Sequence, residues 1–181
     1  MPEKPQLLRS QIIAQTRMFR VEELELRFPN GVEVCFERLR GSEGGAVLIV
    51  PVLEDGTVLL IREYAAGVDR YELALPKGLI EPGEDPLAAA NREMKEEIGH
   101  GARRIDPLRS MSLAPGYLDH TTHVMLARDL YPERLAGDEP EEIEVVPWKL
   151  ERLDDLLARG DFTEARSIAA LFLAREFMRR E

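Results

Sequence analysis

The chain has 181 residues with 34 acidic and 24 basic side chains. Because it has no run of Lys and Arg that could neutralise a phosphate backbone, we do not expect a nucleic-acid partner. Its length, its formal net charge of −10 and its hydrophobic content of 44% suit a globular protein of one domain with room for a small lobe. The lone Cys35 excludes an intramolecular disulfide framework. No apolar run is long enough to cross a bilayer, and the polar N-terminal residues lack the apolar core of a signal peptide. We therefore expect a cytoplasmic protein without membrane contact.

The first forty residues predict a β-hairpin. Two alternating stretches, residues 18–28 and 32–39, flank Asn30-Gly31, and Asn-Gly between such stretches is a strong hairpin signal. A two-stranded hairpin is marginal alone, so a further surface is expected to cover its apolar side chains, which are Val21, Leu24, Leu26, Val34 and Phe36. We therefore expect residues 1–40 to form a lobe that builds a homodimer with C₂ symmetry, the commonest arrangement among soluble oligomers.

A second domain, residues 41–181, is predicted to begin with a glycine-rich hinge at residues 41–45. Residues 46–53 and 57–62 are predicted to be buried strands around an Asp55-Gly56 turn, and residues 71–75, 108–113, 122–128 and 143–148 are predicted to be further strands. Residues 151–158 and 163–179 are predicted helices, the second with Ile168, Leu171, Phe172 and Arg175 at helical spacing. Strands mixed with few helices indicate an α+β fold in which helices flank a mixed sheet.

Residues 78–99 hold the most informative pattern, a group of carboxylates at helical spacing behind a Gly/Pro turn. Asp85 and Pro86 predict a helix N-cap followed by a first-turn proline. On this helix Glu93 lies one turn from Glu96 and Glu97, with roughly 5–6 Å between Cβ atoms, and like charges this close are costly unless a cation compensates them. Carboxylate oxygens suit Mg²⁺ or Mn²⁺, so the pattern predicts a divalent-cation site. Another face, expected to pack against a sheet, holds Leu87, Ala90, Met94 and Ile98.

This segment resembles the Nudix box, whose defined positions are matched by Gly78, Glu84, Arg92, Glu93, Met94, Glu96, Glu97 and Gly99. The last apolar position of the box is taken by His100, which we interpret as a packing variation. The resemblance implies a hydrolase with the Nudix fold, an α/β/α sandwich that binds Mg²⁺ or Mn²⁺. It also implies roles for particular residues: direct ligation by Glu93 and Glu97, direct or water-mediated ligation by Glu96, ligation by the Lys77 carbonyl, and support from Glu84 through Arg92.

Outside the box, the chain is similar to the ADP-ribose pyrophosphatase branch of the Nudix family. That branch carries a proline about sixteen residues beyond the box, and Pro115 lies sixteen residues after Gly99. Tyr117 lies where dinucleoside-polyphosphate hydrolases tend to place a tyrosine, whose ring can stack a base. The similarity extends over nearly the whole chain, through REYAAGVDRYELALPKGLIEPGE, AANREMKEEIG, LYPERLAGDEPE and EARSIAALFLAREF.

The resemblance implies hydrolysis of ADP-ribose, diadenosine triphosphate and NADH, each to AMP and a phosphorylated remainder. Alternatives are a nucleotide-sugar pyrophosphatase that uses, for example, GDP-mannose, a non-catalytic nucleotide sensor, and an interaction module without metal-dependent turnover. A sensor is disfavoured because it would gain nothing from so many clustered carboxylates. Related ADP-ribose hydrolases also exchange or pack the N-terminal lobe against a second subunit, which completes each substrate site.

The same branch takes its general base from a mobile acidic loop downstream of the box, which corresponds here to residues 138–142. Position favours Glu139, with Glu141 and Glu142 as alternatives, although a run of charge like this is usually a solvated loop. Two further residues are candidates for substrate binding. Arg62 follows a buried strand and could reach a phosphate, and Glu72 lies near the box; either could equally be an ion-pair partner at the surface.

Overall fold

The computed structural model describes residues 2–181, and their strands form three sheets. The N-terminal sheet is an antiparallel meander of β1 (Gln6–Gln15), β2 (Arg20–Arg27) and β3 (Glu33–Arg40), and the short strand β9 (Leu118–Asp119) adds beside β3 in parallel. The turn between β2 and β3 is the predicted one, and Gly31 adopts a φ of 84° there, which costs glycine no steric strain. The lobe is therefore a four-stranded sheet and not a two-stranded hairpin, because β1 and a strand from the second domain complete it.

Strand register separates the apolar residues of this sheet onto two faces. Leu24 pairs with Phe36 and Leu26 pairs with Val34, so these four side chains share one face. Val21 lies three residues before Leu24 on the same strand, which directs its side chain to the other face. Val34 and Phe36 are 39% and 42% exposed, so the shared face is only partly covered within one chain.

The second domain contains the other two sheets. A mixed sheet has the order β7 (Lys77–Leu79), β4 (Ala46–Pro51), β10 (Thr121–Pro132) and β8 (His100–Ser112), with β4 and β10 parallel. An antiparallel sheet has the order β11 (Glu144–Lys149), β5 (Thr57–Ala65) and β6 (Arg70–Ala74). Strand β7 was not predicted. Strand β8 begins at His100 and not at Leu108, and it passes Pro107 at a register shift, where a proline is tolerated within a strand.

The described chain has three α-helices, α1 (Pro86–Glu97), α2 (Leu153–Leu157) and α3 (Ala165–Met178). Asp85 caps α1 as predicted, since its carboxylate accepts hydrogen bonds from the main-chain N–H groups of Leu87 and Ala88. The helix predicted over residues 151–158 is instead a 3₁₀ turn, Leu150–Arg152, followed by the short α2. Within residues 2–181, none of the helices has the length and apolar character that a bilayer span requires.

Strand β4 is buried on both faces and lies between two apolar clusters. Leu48 belongs to a cluster with Leu171 of α3, whereas Ile49 belongs to a cluster with Met94 of α1. Helices therefore cover the strands from both sides, which confirms the predicted α+β class, although the strands form two sheets and not one. The predicted inner face of α1 is wrong at Leu87, which lies in the first helical turn and is 39% exposed.

Candidate active site

Arg92 of α1 is the centre of a network that joins the carboxylates of the box. Its Nε donates to Glu84 Oε1 at 2.9 Å, and its Nη1 donates to Glu93 Oε1 at 2.7 Å and to Glu96 Oε2 at 3.1 Å. Its Nη2 also donates to the Leu79 carbonyl at 3.0 Å, which ties the helix to β7. The Arg92 guanidinium lowers the pKa of Glu84. Hydrogen bonds therefore link Glu84 through Arg92 to Glu93 and Glu96.

Gly78 provides the space that Glu93 occupies. A Cβ atom at Gly78 would lie 2.0 Å from the Glu93 carboxyl carbon, so the Glu93 side chain would have to move away. The Glu93 side chain is only 12% exposed, and burial raises its pKa while Arg92 opposes the shift. The absence of a side chain at Gly78, the first glycine of the box, thus leaves room for the Glu93 carboxylate.

Glu97 is the most deeply buried carboxylate of the site, with 4% of its surface exposed. It lies at the last residue of α1, and its Oε2 accepts a hydrogen bond from the Lys77 main-chain N–H at 2.9 Å. Burial raises the pKa of Glu97 to about 8, and the charge of Lys77 only partly opposes the shift. The main chain of Lys77 therefore lies beside Glu97.

Three carboxylates from three separate segments converge at one point. Glu63 of β5, Glu97 of α1 and Glu139 of the acidic loop each place a carboxylate oxygen within 4.8 Å of the others. Lys77 Nζ forms an ion pair with Glu63 and supplies part of the compensating charge. Burial raises the pKa of Glu139, and Glu63 adds to the shift. The Glu97 carboxylate in this group suits a hard divalent cation, and the Glu139 carboxylate lies beside it.

Sequence reasoning missed Glu63. It follows Arg62 at the point where the buried run of β5 gives way to partly exposed positions. In the sequence, this change from apolar to charged residues indicates Arg62 alone as a candidate. The proximity of Glu63 to Glu97 and Glu139 depends on tertiary structure, and no spacing along the chain indicates it.

A cavity of about 850 Å³ lies beside the carboxylate cluster; Glu139 lines it, whereas Glu63 and Glu97 do not. Its walls include Glu93, Glu96 and Glu139, together with Lys77 and Arg92. Arg20, at the start of β2, reaches the same cavity from the N-terminal sheet and was also not predicted. The cavity is strongly acidic, so a polyanionic ligand needs cations to enter it.

The acidic loop brings one of its three candidate bases into the cluster. Glu139 lies with Glu63 and Glu97, whereas the Glu141 carboxylate accepts a hydrogen bond from the Tyr71 hydroxyl at 2.8 Å. Glu142 is exposed, and within residues 2–181 its side chain makes no hydrogen bond. The geometry thus favours Glu139 among the three.

Pro115 and Tyr117 lie outside the box cavity. They line a second cavity of about 420 Å³ together with Leu24 and Phe36 from the apolar face of the N-terminal sheet. The two cavities share no lining residue, and Tyr117 is 60% exposed. Within a single chain, the structure therefore does not unite these predicted substrate residues with the carboxylates.

Arg62 and Glu72 are both engaged in contacts within the protein. Arg62 forms ion pairs with Glu144 at 2.9 Å and Asp161 at 2.7 Å. Glu72 is buried, pairs with Arg70 and accepts a hydrogen bond from the Thr163 main-chain N–H at 3.2 Å. Neither residue lines the box cavity, so the contacts favour the ion-pair interpretation for both.

Comparison with known proteins gives two family matches and several similar proteins. Residues 43–172 match the NUDIX domain, and residues 5–38 match the NudE-type Nudix hydrolase N-terminal domain. The chain is 48% identical to the ADP compounds hydrolase NudE of Escherichia coli, over 98% of this chain and 95% of that protein. It is 30% identical to an ADP-ribose pyrophosphatase of Bacillus subtilis, over 83% of this chain and 80% of that one.

A crystal structure of an ADP compounds hydrolase superposes on the chain with a TM-score of 0.93 and 47% identity, covering 99% of this chain and 97% of the other. The NUDIX domain match covers more than half of the chain and the sequence similarity nearly all of it, and the chain therefore belongs to the Nudix hydrolase family.

Proposed function

We propose that this Nudix hydrolase cleaves the diphosphate of ADP-containing compounds, namely ADP-ribose, diadenosine triphosphate and NADH, to AMP and a phosphorylated remainder. The similarity to an ADP compounds hydrolase carries the proposal, because it spans 98% of the chain and includes the N-terminal sheet as well as the box. The box alone defines the family and not the substrate.

Nudix hydrolases generally require a divalent metal, and we propose Mg²⁺ or Mn²⁺ for this chain. Glu93 and Glu97 would hold the cation, with Glu96 as a direct or water-mediated ligand and the Lys77 carbonyl as a main-chain ligand. The buried carboxylates of Glu93 and Glu97 support this choice, since hard oxygen ligands suit these ions. A bound divalent cation neutralises the diphosphate and lowers the pKa of a nearby water. Arg92, itself held by Glu84, keeps Glu93 and Glu96 oriented.

We propose Glu139 as the general base that takes the proton of the attacking water. Its carboxylate lies beside Glu97, and its raised pKa brings it closer to the pH at which a carboxylate accepts a proton readily. Glu141 is less suited because Tyr71 already occupies one of its oxygens.

Replacement of Glu139 by Gln is expected to lower turnover roughly tenfold to a hundredfold while metal affinity stays nearly unchanged, since the loop acts on water and not on the cation. Steady-state kcat with ADP-ribose and Mn²⁺ binding followed by electron paramagnetic resonance measure the two quantities. Glu142→Gln is the matched control within the same loop. A larger loss in Glu141→Gln or Glu142→Gln would assign the base elsewhere, and no loss in any of the three would remove the loop from catalysis.

Gly78→Ala is expected to lower turnover on the order of tenfold, because the new methyl group would displace the Glu93 carboxylate from its place. Gly67→Ala is the control: a Cβ there meets nothing within 4 Å, so activity should not change. Kinetics and thermal unfolding of both variants check the prediction. Full activity of Gly78→Ala would show that the position of Glu93 does not matter for the reaction.

We propose further that the chain comprises a dimerisation lobe, residues 1–40, and a hydrolase domain, residues 41–181, and that two chains form a homodimer. The apolar face around Phe36 is partly exposed in one chain, which supports its burial against a second subunit. Pro115 and Tyr117, which line the same cavity as Phe36, would contact substrate once that subunit completes the site. The exposed free thiol of Cys35 fits a reducing compartment, and we place the activity in the cytoplasm.

A substrate panel with Mg²⁺ and with Mn²⁺ tests the proposed function. ADP-ribose, diadenosine triphosphate, NADH and GDP-mannose would be compared, with products identified by mass. Release of AMP from the first three compounds, at rates above that for GDP-mannose, is the expected result. Preference for GDP-mannose would make the chain a nucleotide-sugar pyrophosphatase, and metal-dependent binding without turnover would make it a sensor.

A further inference from the structure

The acidic loop is almost free of internal structure. In the described part of the chain, residues 136–142 make a single hydrogen bond outside the regular strands, from Tyr71 Oη to Glu141 Oε1 at 2.8 Å. The segments on either side are well fixed. Leu135 N–H donates to the Lys95 carbonyl at 3.1 Å, and Glu144 begins β11, where it pairs with Arg62 of β5. Tyr71 is therefore the one anchor between the two fixed ends of the loop.

Tyr71 is itself held by regular structure. It lies on β6 directly opposite Tyr64 of β5, and the two rings meet edge to face with 5.6 Å between their centroids. Glu63, which shares the carboxylate cluster with Glu139, precedes Tyr64 on the same strand. The Tyr71 hydroxyl, which holds the loop, and the Glu63 carboxylate, which lies beside it, thus belong to the paired strands β5 and β6.

Pro140 connects the anchored residue to the candidate base. Its ring fixes its own φ, and it restricts the preceding residue, Glu139, to extended conformations. Pro140 therefore leaves less backbone freedom between Glu139 and Glu141 than another residue would.

From this geometry we infer that Tyr71 is a positioning residue: its hydroxyl holds Glu141 and thereby keeps the Glu139 carboxylate beside Glu63 and Glu97. The inference rests on the proposed function, in which Glu139 acts on the attacking water. Without the anchor, seven residues, 136–142, span the gap with no hydrogen bond of their own to restrict them.

Tyr71→Phe keeps the ring and its contact with Tyr64 and removes only the donor. We expect kcat to fall about fivefold to tenfold with KM nearly unchanged, because the loss affects the geometry of the base and not substrate binding. Tyr64→Phe is the matched control, since it removes a hydroxyl from the same strand pair that contacts Asp69 and not the loop. Its kcat should equal that of the wild type.

Variants of Glu141 separate anchoring from chemistry. Glu141→Gln retains an oxygen that accepts from Tyr71 and should remain close to wild-type activity, whereas Glu141→Ala loses the acceptor and should match Tyr71→Phe. The double variant Tyr71→Phe/Glu141→Ala should be no slower than either single variant. In a Glu139→Gln background, Tyr71→Phe should cause no further loss.

Loop order provides a readout that does not depend on turnover. Amide ¹⁵N relaxation of the full-length protein should show order parameters for the non-proline residues in 136–142 that fall below about 0.6 in Tyr71→Phe and not in Tyr64→Phe. Unchanged order parameters in Tyr71→Phe would overturn the inference, as would a further loss of kcat in the Glu139→Gln background. If Glu139→Gln is fully active while Tyr71→Phe still loosens the loop, the base assignment fails and the anchor stands.

Discussion

Replacement of Glu97 by Gln is expected to lower turnover roughly a hundredfold or more and to leave the fold intact. Gln has nearly the same shape as Glu, and its amide oxygen can still accept the hydrogen bond that Lys77 N–H donates to Glu97 Oε2. The substitution removes the negative charge of Glu97, a residue that is 4% exposed and belongs to the carboxylate cluster. A hard cation held by fewer charged oxygens is bound more weakly, so the reaction loses its main source of positive charge.

Stability measurements separate this loss from misfolding. Burial raises the pKa of Glu97 to about 8, from an ordinary value of 4.5, so in metal-free protein the folded chain binds this proton more tightly than the unfolded chain. The free energy of unfolding of the metal-free protein therefore falls as the pH rises from 4.5 to about 8. Because a neutral Gln avoids this loss, Glu97→Gln should not lower the free energy of unfolding at neutral pH. Thermal unfolding, Mn²⁺ binding and kcat would be measured together, with Glu176→Gln on α3 as a control away from the site. Unchanged kcat in Glu97→Gln would refute the metal assignment.

The features that sequence analysis predicted correctly are local ones. The cap at Asp85, the course of α1 and the spacing of Glu93, Glu96 and Glu97 depend on residues within a few positions of one another. The buried strands β4 and β5 were also recognisable, since their apolar residues are covered on both sides. Helical periodicity and capping chemistry determine such features before any tertiary contact forms.

The features that it missed depend on distant segments. Strand β1, with the sequence QLLRSQIIAQ, has no strict alternation because it carries two register shifts against β2, and its side chains are mostly exposed. Strand β9 has two residues and forms only because β3 is available as a partner. Glu63 and Arg20 enter the site through the packing of strands that the sequence alone does not arrange. Conversely, Pro115 and Tyr117 followed a family pattern that a single chain does not bring to the box cavity.

Deletion of residues 1–40 is expected to abolish both activity and assembly, although the box is untouched. The deletion removes β3, the strand on which β9 forms; the Leu39 N–H donates to the Tyr117 carbonyl at 2.7 Å in the intact chain. Tyr117 and Pro115 would thus lose their support, and Arg20 would leave the wall of the box cavity. The apolar face around Leu24 and Phe36 would also be lost, and with it the proposed dimer contact.

A point substitution tests the same idea in the full-length chain, where folding of a truncated protein is not in question. Phe36→Glu places a charge on the apolar face and is expected to convert a dimer of 20.5 kDa chains into monomers with much reduced kcat. Cys35→Ser, next to it on the opposite face of β3, is the control and should remain dimeric and active. Light scattering of the intact chain and of both variants gives the mass directly. An intact chain that is monomeric at micromolar concentration and still turns over substrate would refute the proposed dimer, because each site would then be complete within one subunit.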